Sequence, residues 1–214
     1  MWSRWRYLIL LGGHDLGDSV KRMNKSPENI VTRWFGPHFQ ELHPLLQNLH
    51  RHGGSLQGVV EIQTGSGLAG WLGKRLASSL GIPVDRSLRG FEVEIRHTEK
   101  ALEWRRRFDS GAMMFSRFEP FGRWPHGHWQ ENTGPLQMRL MVDVVNQSWQ
   151  WRPTRLTVRG IRFPLFLMPQ SKAGKRIEHG KYVFHVEFAL PLIGTILSYG
   201  GALEAQALST TIEL

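Results

Sequence analysis

Between Arg89 and Leu203 apolar side chains fall at every second position. Phe91, Val93 and Ile95 alternate with Glu92, Glu94 and Arg96. Leu136, Met138, Leu140, Val142 and Val144 keep the same spacing, as do Tyr182, Phe184, Val186 and Phe188. A period of two places each set on one face of a pleated strand. Several such strands in succession predict an antiparallel sheet with one face covered and the other wet.

Before Pro83 the spacing is helical. Ser26-Pro27-Glu28 has the order of an N-cap, a first-position proline and an acid in the first turn. Ile30, Trp34 and Phe35 give that helix its apolar side, and Gly36-Pro37 interrupts it. Phe39, Leu42, Leu45, Leu46 and Leu49 continue at threes and fours as far as Gly53-Gly54, with Pro44 as a predicted kink. Leu56 to Thr64 reads as a strand. Gly65-Ser66-Gly67 then turns the chain, with Ser66 as cap, into a helix whose apolar positions are Leu68, Trp71, Leu72, Leu76 and Leu80. Pro164 to Pro169 is apolar but too short for a regular element. The fold class predicted is α+β: a curved, mainly antiparallel sheet of about seven to nine strands packed against two or three N-terminal helices. Residues 1–25 read as an extension that contributes little to the fold, with Met23 as an internal start, and residues 26–214 as a single domain.

A chain of 214 residues with 41% apolar and 21% charged content can bury a substantial core. It has no cysteine, which excludes disulfides, thiolate-held zinc and thiol catalysis. No apolar run is long enough to span a bilayer as a helix. Tyr7 to Leu11 is too short for a signal-peptide core, so the chain reads as cytoplasmic, with a membrane-peripheral location as the variant. The formal charge of +9 favours an anionic partner: an acidic or amphiphilic small molecule, an anionic membrane surface, or nucleic acid. Nucleic acid is disfavoured because no recognition motif accompanies the charge. Arg105 to Arg107 and Lys172 to Arg176 are the dense basic groups. Gly12-Gly13-His14-Asp15-Leu16-Gly17 does not have the three-glycine dinucleotide spacing, and no cofactor is predicted.

Several short blocks, in order and at consistent distances, carry a resemblance. They include Leu49-His50, Gly65-Ser66-Gly67-Leu68-Ala69, Leu80-Gly81-Ile82-Pro83, Glu103-Trp104-Arg105-Arg106-Arg107-Phe108 and Phe115-Ser116. Gly134-Pro135, Gly160-Ile161-Arg162-Phe163-Pro164 with Pro169, Pro191-Leu192-Ile193-Gly194 and Tyr199-Gly200-Gly201 follow. From Pro37 to Leu203 the chain resembles a bacterial family known as domain of unknown function 4166. In that family the domain often follows a nicotinamide-dinucleotide-binding domain. The resemblance therefore implies, as an alternative, an enzyme or an accessory domain of a redox enzyme. Thr133 stands where the family has an aromatic residue before Gly134-Pro135.

Arg106 is the leading candidate side chain. Strand alternation sets it on one face with Leu102, Trp104 and Phe108, and sets Glu103, Arg105 and Arg107 on the other. A guanidinium drawn towards a core is an anion clamp, a structural ion pair with a glutamate, or a cation stacked on tryptophan. Trp71, Trp104, Phe115, Tyr182 and Phe184 are predicted as apolar walls of a ligand pocket, with Arg106, His50 and Ser116 as its polar contacts. His185 and Glu187 share a strand face and have the spacing of an acid–base pair, or else lie on the wet side. His126 and His128 lack a third metal ligand, so no metal site is predicted. The function predicted is a binding module with an apolar pocket and a basic surface.

Overall fold

A computed structural model describes residues 28–164 and 173–207. The predicted extension over residues 1–25, the Ser26-Pro27 helix start and residues 165–169 lie outside them. The strands are β1 (Gly54–Thr64), β2 (Leu88–His97), β3 (Leu102–Phe108), β4 (Met113–Phe121), β5 (His128–Thr133), β6 (Leu136–Val145), β7 (Ser148–Val158), β8 (Ile161–Phe163), β9 (Ala173–Glu178), β10 (Lys181–Leu190) and β11 (Gly194–Ala207). All pairings are antiparallel. β7 holds β6 on one edge and both β9 and the short β8 on the other. β1 joins β11 from Gly54↔Ala207 to Thr64↔Leu197, so ten strands close into a barrel.

Closure corrects the predicted open sheet of about seven to nine strands. Alternation shows which face of a strand is covered; it does not show whether the two edges of a sheet meet. Here they meet through β1, whose partner β11 lies at the far end of the sequence, and among the described residues only the three-residue β8 keeps a free edge. Register shifts at Arg139/Leu140 and Phe188/Ala189 add the local twist that closure requires.

Two short helices fill one end of the barrel. Asn29 caps α1 (Ile30–Phe35): its Oδ1 accepts from the Val31 and Thr32 amides. Its Nδ2 donates to the carbonyls of His50 at 2.9 Å and Arg51 at 2.8 Å, at the far end of α2 (Pro44–His52). One side chain thus satisfies orphan groups at two helix termini. A 3-10 helix, Gly36–Glu41, links the two, and Pro44 starts α2 at its first turn where a kink is predicted from sequence. The end is sealed by aromatic contacts, Trp34 on Trp129 at 5.4 Å and Phe35 on Trp149 at 4.9 Å.

The third helix, α3 (Gly67–Leu80), follows β1 and crosses the opposite end. Ser66 is its N-cap by position but makes no side-chain capping bond. Its buried residues are Ala69, Gly70, Gly73, Ala77 and Leu80, whereas Leu68 and Trp71 of the predicted apolar face are exposed. Small side chains let the helix lie directly on β11. A Cβ on Gly73 would stand 1.8 Å from the Ile196 carbonyl oxygen. Its C-terminal end reaches the mouth beyond β3–β4 and β5–β6, where a Cβ on Gly81 would lie 2.5 Å from the Met113 carbonyl and one on Gly134 3.1 Å from that of Ser79.

Candidate functional site

Arg106 on β3 is 7% exposed and faces the barrel interior, while Arg105 and Arg107 are exposed on the outside. Its Nη1 donates to Ser116 Oγ at 2.6 Å. Ser116 Oγ lies 2.5 Å from Thr133 Oγ1, which donates to Glu131 Oε1 at 2.8 Å. The series runs over β3, β4 and β5 because these positions are register neighbours or nearly so: Trp104↔Ser116 and Ser116↔Thr133. The guanidinium also stands 5.0 Å from the Trp104 ring centroid. Among the described residues no carboxylate lies within ion-pairing distance of Arg106; its hydrogen bond goes to a neutral hydroxyl.

A second cation sits beside it. Lys175 on β9 is 3% exposed, with Nζ 4.0 Å from the Trp149 ring, 4.2 Å from Trp104 and 5.1 Å from Trp151. Nζ lies 3.3 Å from Nε2 of His50, which is fully buried at the end of α2. Burial holds the Lys175 ammonium well below its ordinary pKa, and the nearby Arg106 guanidinium pushes it the same way. His50 is likewise driven well down, first by burial and then by Lys175. Burial raises the Tyr182 and Tyr199 hydroxyls. The Tyr182 hydroxyl and the Trp104 indole nitrogen are buried with no hydrogen-bond partner among the described residues.

Arg106, Lys175, Thr133, Glu131 and Tyr182 line a cavity of about 80 Å³, and Arg106 and Tyr182 also line a second lobe of about 40 Å³. Trp104, Arg106, Tyr182, Phe184, Val186 and Tyr199 line both. The wall of the larger cavity also holds Leu80, Leu136, Leu140 and Phe188. The cavity is therefore amphipathic: basic groups and hydroxyls share its wall with hydrocarbon.

Of the residues predicted for the site, Arg106, Trp104, Ser116, Tyr182 and Phe184 come together here, and His50 reaches it through Lys175. Four do not. Trp71 is 55% exposed on the outer side of α3, beneath the Arg75 guanidinium at 5.2 Å, because the helix packs through its small residues instead. Phe115 is 46% exposed, since it alternates with the inward-facing Met114 and Ser116. His185 and Glu187 lie outside the barrel, 3.6 Å apart, with Glu187 accepting from Thr195. Lys175, Glu131, Thr133, Trp151 and Tyr199 join the site without being among the residues predicted for it. Lys175 and Ile177 alternate with Arg176 and Glu178, a signal hidden by the basic run around it. His128 begins β5 with its ring stacked on Phe121, and among the described residues no group of His, Asp or Glu is placed to hold a metal ion. Among the same residues no helix is long and apolar enough to cross a membrane.

No curated protein matches the chain in sequence. The model of one family does match, over residues 42–203, a span that takes in every strand of the barrel except the last turn of β11 and every side chain of the cavity described above. The chain therefore belongs to the family described as domain of unknown function, DUF4166.

Proposed function

We propose that the barrel binds a small carboxylic acid or acidic amphiphile, its anionic head between Arg106 and Lys175 and its apolar part directed towards Leu80, Leu136 and Phe188. The observation that carries this reading is the charge imbalance inside the barrel. Two buried basic side chains, the guanidinium of Arg106 and the amine of Lys175, face a cavity whose lining holds one partly buried carboxylate, Glu131, which accepts from Thr133 and also acts on Lys175. Buried charge without a counter-ion costs several kcal/mol. An incoming carboxylate lowers that cost and takes the geometry for which a guanidinium fork is suited.

Size bounds the ligand. A cavity of about 80 Å³ is roughly half the ~150 Å³ that admits benzene in an engineered protein core. The form seen here accommodates a head group with a short chain. A longer chain requires Leu80 and the C-terminal half of α3 to move outward, and α3 is the wall held by backbone contact with small side chains. The test is native mass spectrometry of protein purified without added ligand. A co-purified acid that is absent from Arg106→Met supports the reading; a neutral adduct retained equally by both proteins overturns it.

A further inference from the structure

We propose that the α3 end of the barrel is a docking surface for an anionic lipid bilayer, with Leu68, Trp71, Ile161 and Phe163 entering the hydrocarbon boundary and a set of arginines meeting the head groups. The inference takes its purpose, delivery of an amphiphile to the cavity, from the reading above, but its observations are separate. Strand register puts these side chains at one end. β1 finishes at Thr64 opposite Leu197, near the start of β11, so α3 begins there, and the β7–β8 hairpin turns at the same end where Val158 pairs with Leu136. Leu68 is 63% exposed, Trp71 55%, Ile161 70% and Phe163 37%. The turn joining β10 to β11 adds an exposed Leu192 at that end. Solvated apolar side chains scattered singly need no explanation; a ring of them around one mouth does.

Charge selects the partner. Arg139 lies directly opposite Arg155 across β6–β7, and Arg162 follows on β8. Like charges placed opposite one another on a sheet destabilise it. Among the described residues no acid is ion-paired with any of the three, and Arg139 and Arg162 depress the Arg155 guanidinium by repulsion. Asp85 and Asp109, on the α3–β2 and β3–β4 loops, are both engaged by Arg89, and the strand acids Glu61 and Glu187 near this end accept from Gln63 and Thr195. On α3 itself Lys74 and Arg75 adjoin Trp71, the arginine stacked over its ring. Unpaired cations interleaved with exposed hydrocarbon match a bilayer carrying anionic head groups, which supplies both components. A polyanion such as nucleic acid supplies the charge alone.

Sedimentation with vesicles of phosphatidylcholine alone, and of phosphatidylcholine mixed with phosphatidylglycerol, tests the surface on the full chain. The protein is expected to bind the mixed vesicles and to leave them at high salt. Arg155→Gln with Arg162→Gln should weaken that binding by about 25-fold, at roughly fivefold per charge near the surface. Leu68→Ser with Trp71→Ser should weaken it about tenfold or more by removing buried hydrocarbon. Absence of binding to the anionic vesicles overturns the proposal. So does a loss confined to the arginine variant with competition by DNA, which identifies a bare polyanion surface. Leu68, Trp71 and Arg162 are exposed and Arg155 is half-buried, and an unchanged thermal midpoint certifies each variant. Displacement of a fluorescent fatty acid in vesicle-free buffer, unaltered in these variants, keeps the docking surface distinguishable from the cavity. If the cavity binds no acid while the vesicle pattern holds, only the ligand reading falls.

Discussion

Lys175 Nζ lies 3.3 Å from His50 Nε2, joining a strand and a helix that are separated by most of the chain. The contact ties the helical seal at one end of the barrel to the cavity. It also leaves both groups in an environment that disfavours their charged forms. An anionic ligand changes that balance at Lys175 first, because the ammonium borders the cavity.

Ligand binding should therefore take up protons. The Lys175 pKa is held low by burial and by Arg106, and a carboxylate set between the two cations raises it. Titration calorimetry of octanoate binding in buffers of different ionisation enthalpy should give a net uptake, abolished in Lys175→Met. Proton release, or uptake unchanged in that variant, contradicts the assignment.

Stability should fall in mild acid. Burial holds His97 at a pKa of about 4, and burial lowers His50 in the same direction. In the unfolded chain both titrate near the ordinary ~6.5. Between these values the unfolded state binds more protons, so stability rises with pH there. The stabilisation is complete above about 6.5 and is lost as pH falls towards 4. Urea denaturation at a series of pH values should show this slope, and His97→Asn should flatten it.

Arg106 should matter more for binding than for folding. Its hydrogen bond goes to Ser116 and not to a carboxylate, so Arg106→Met strands no buried acid directly. Replacing a poorly compensated buried charge with an apolar side chain is often neutral or stabilising. The unfolding free energy of Arg106→Met should stay within about 1 kcal/mol of the parent or rise, and Arg105→Ala and Arg107→Ala should each change it by only a few tenths of a kcal/mol. A loss of several kcal/mol for Arg106→Met would make the residue structural.

Gly73 should tolerate no side chain. The 1.8 Å approach to the Ile196 carbonyl forces α3 away from β11 if a methyl group is added, and Gly73→Ala should cost about 1–3 kcal/mol. Trp71→Ser, on the exposed side of the same helix, should stay within about 0.5 kcal/mol. Thermal or urea unfolding of the two variants decides it.

Strand identity and facing were legible in the sequence, and with them the inward position of Arg106. The signal was a strict period of two with both wet and dry positions represented, as at Phe91 to Arg96. Barrel closure was not legible, because it rests on β1 pairing with β11, and pairing partners leave no local periodicity. The packing of α3 was legible in part: Leu72, Leu76 and Leu80 pack against the core, but Gly70, Gly73 and Ala77 make the close contact with the sheet and leave Leu68 and Trp71 exposed. Thr133 was noted only as a departure from the family pattern; its hydroxyl is the middle of the series from Arg106 to Glu131.

The central claim is that a buried guanidinium and a buried amine select an acid. The most direct measurement compares octanoic acid with octanol in binding to the parent protein and to Arg106→Met. Charged hydrogen bonds are worth about 1.5–3 kcal/mol, so the acid should bind the parent roughly 10- to 150-fold more tightly than the alcohol. That preference should collapse in the variant while the alcohol's affinity stays nearly unchanged. Equal affinities of acid and alcohol for the parent protein would contradict the account.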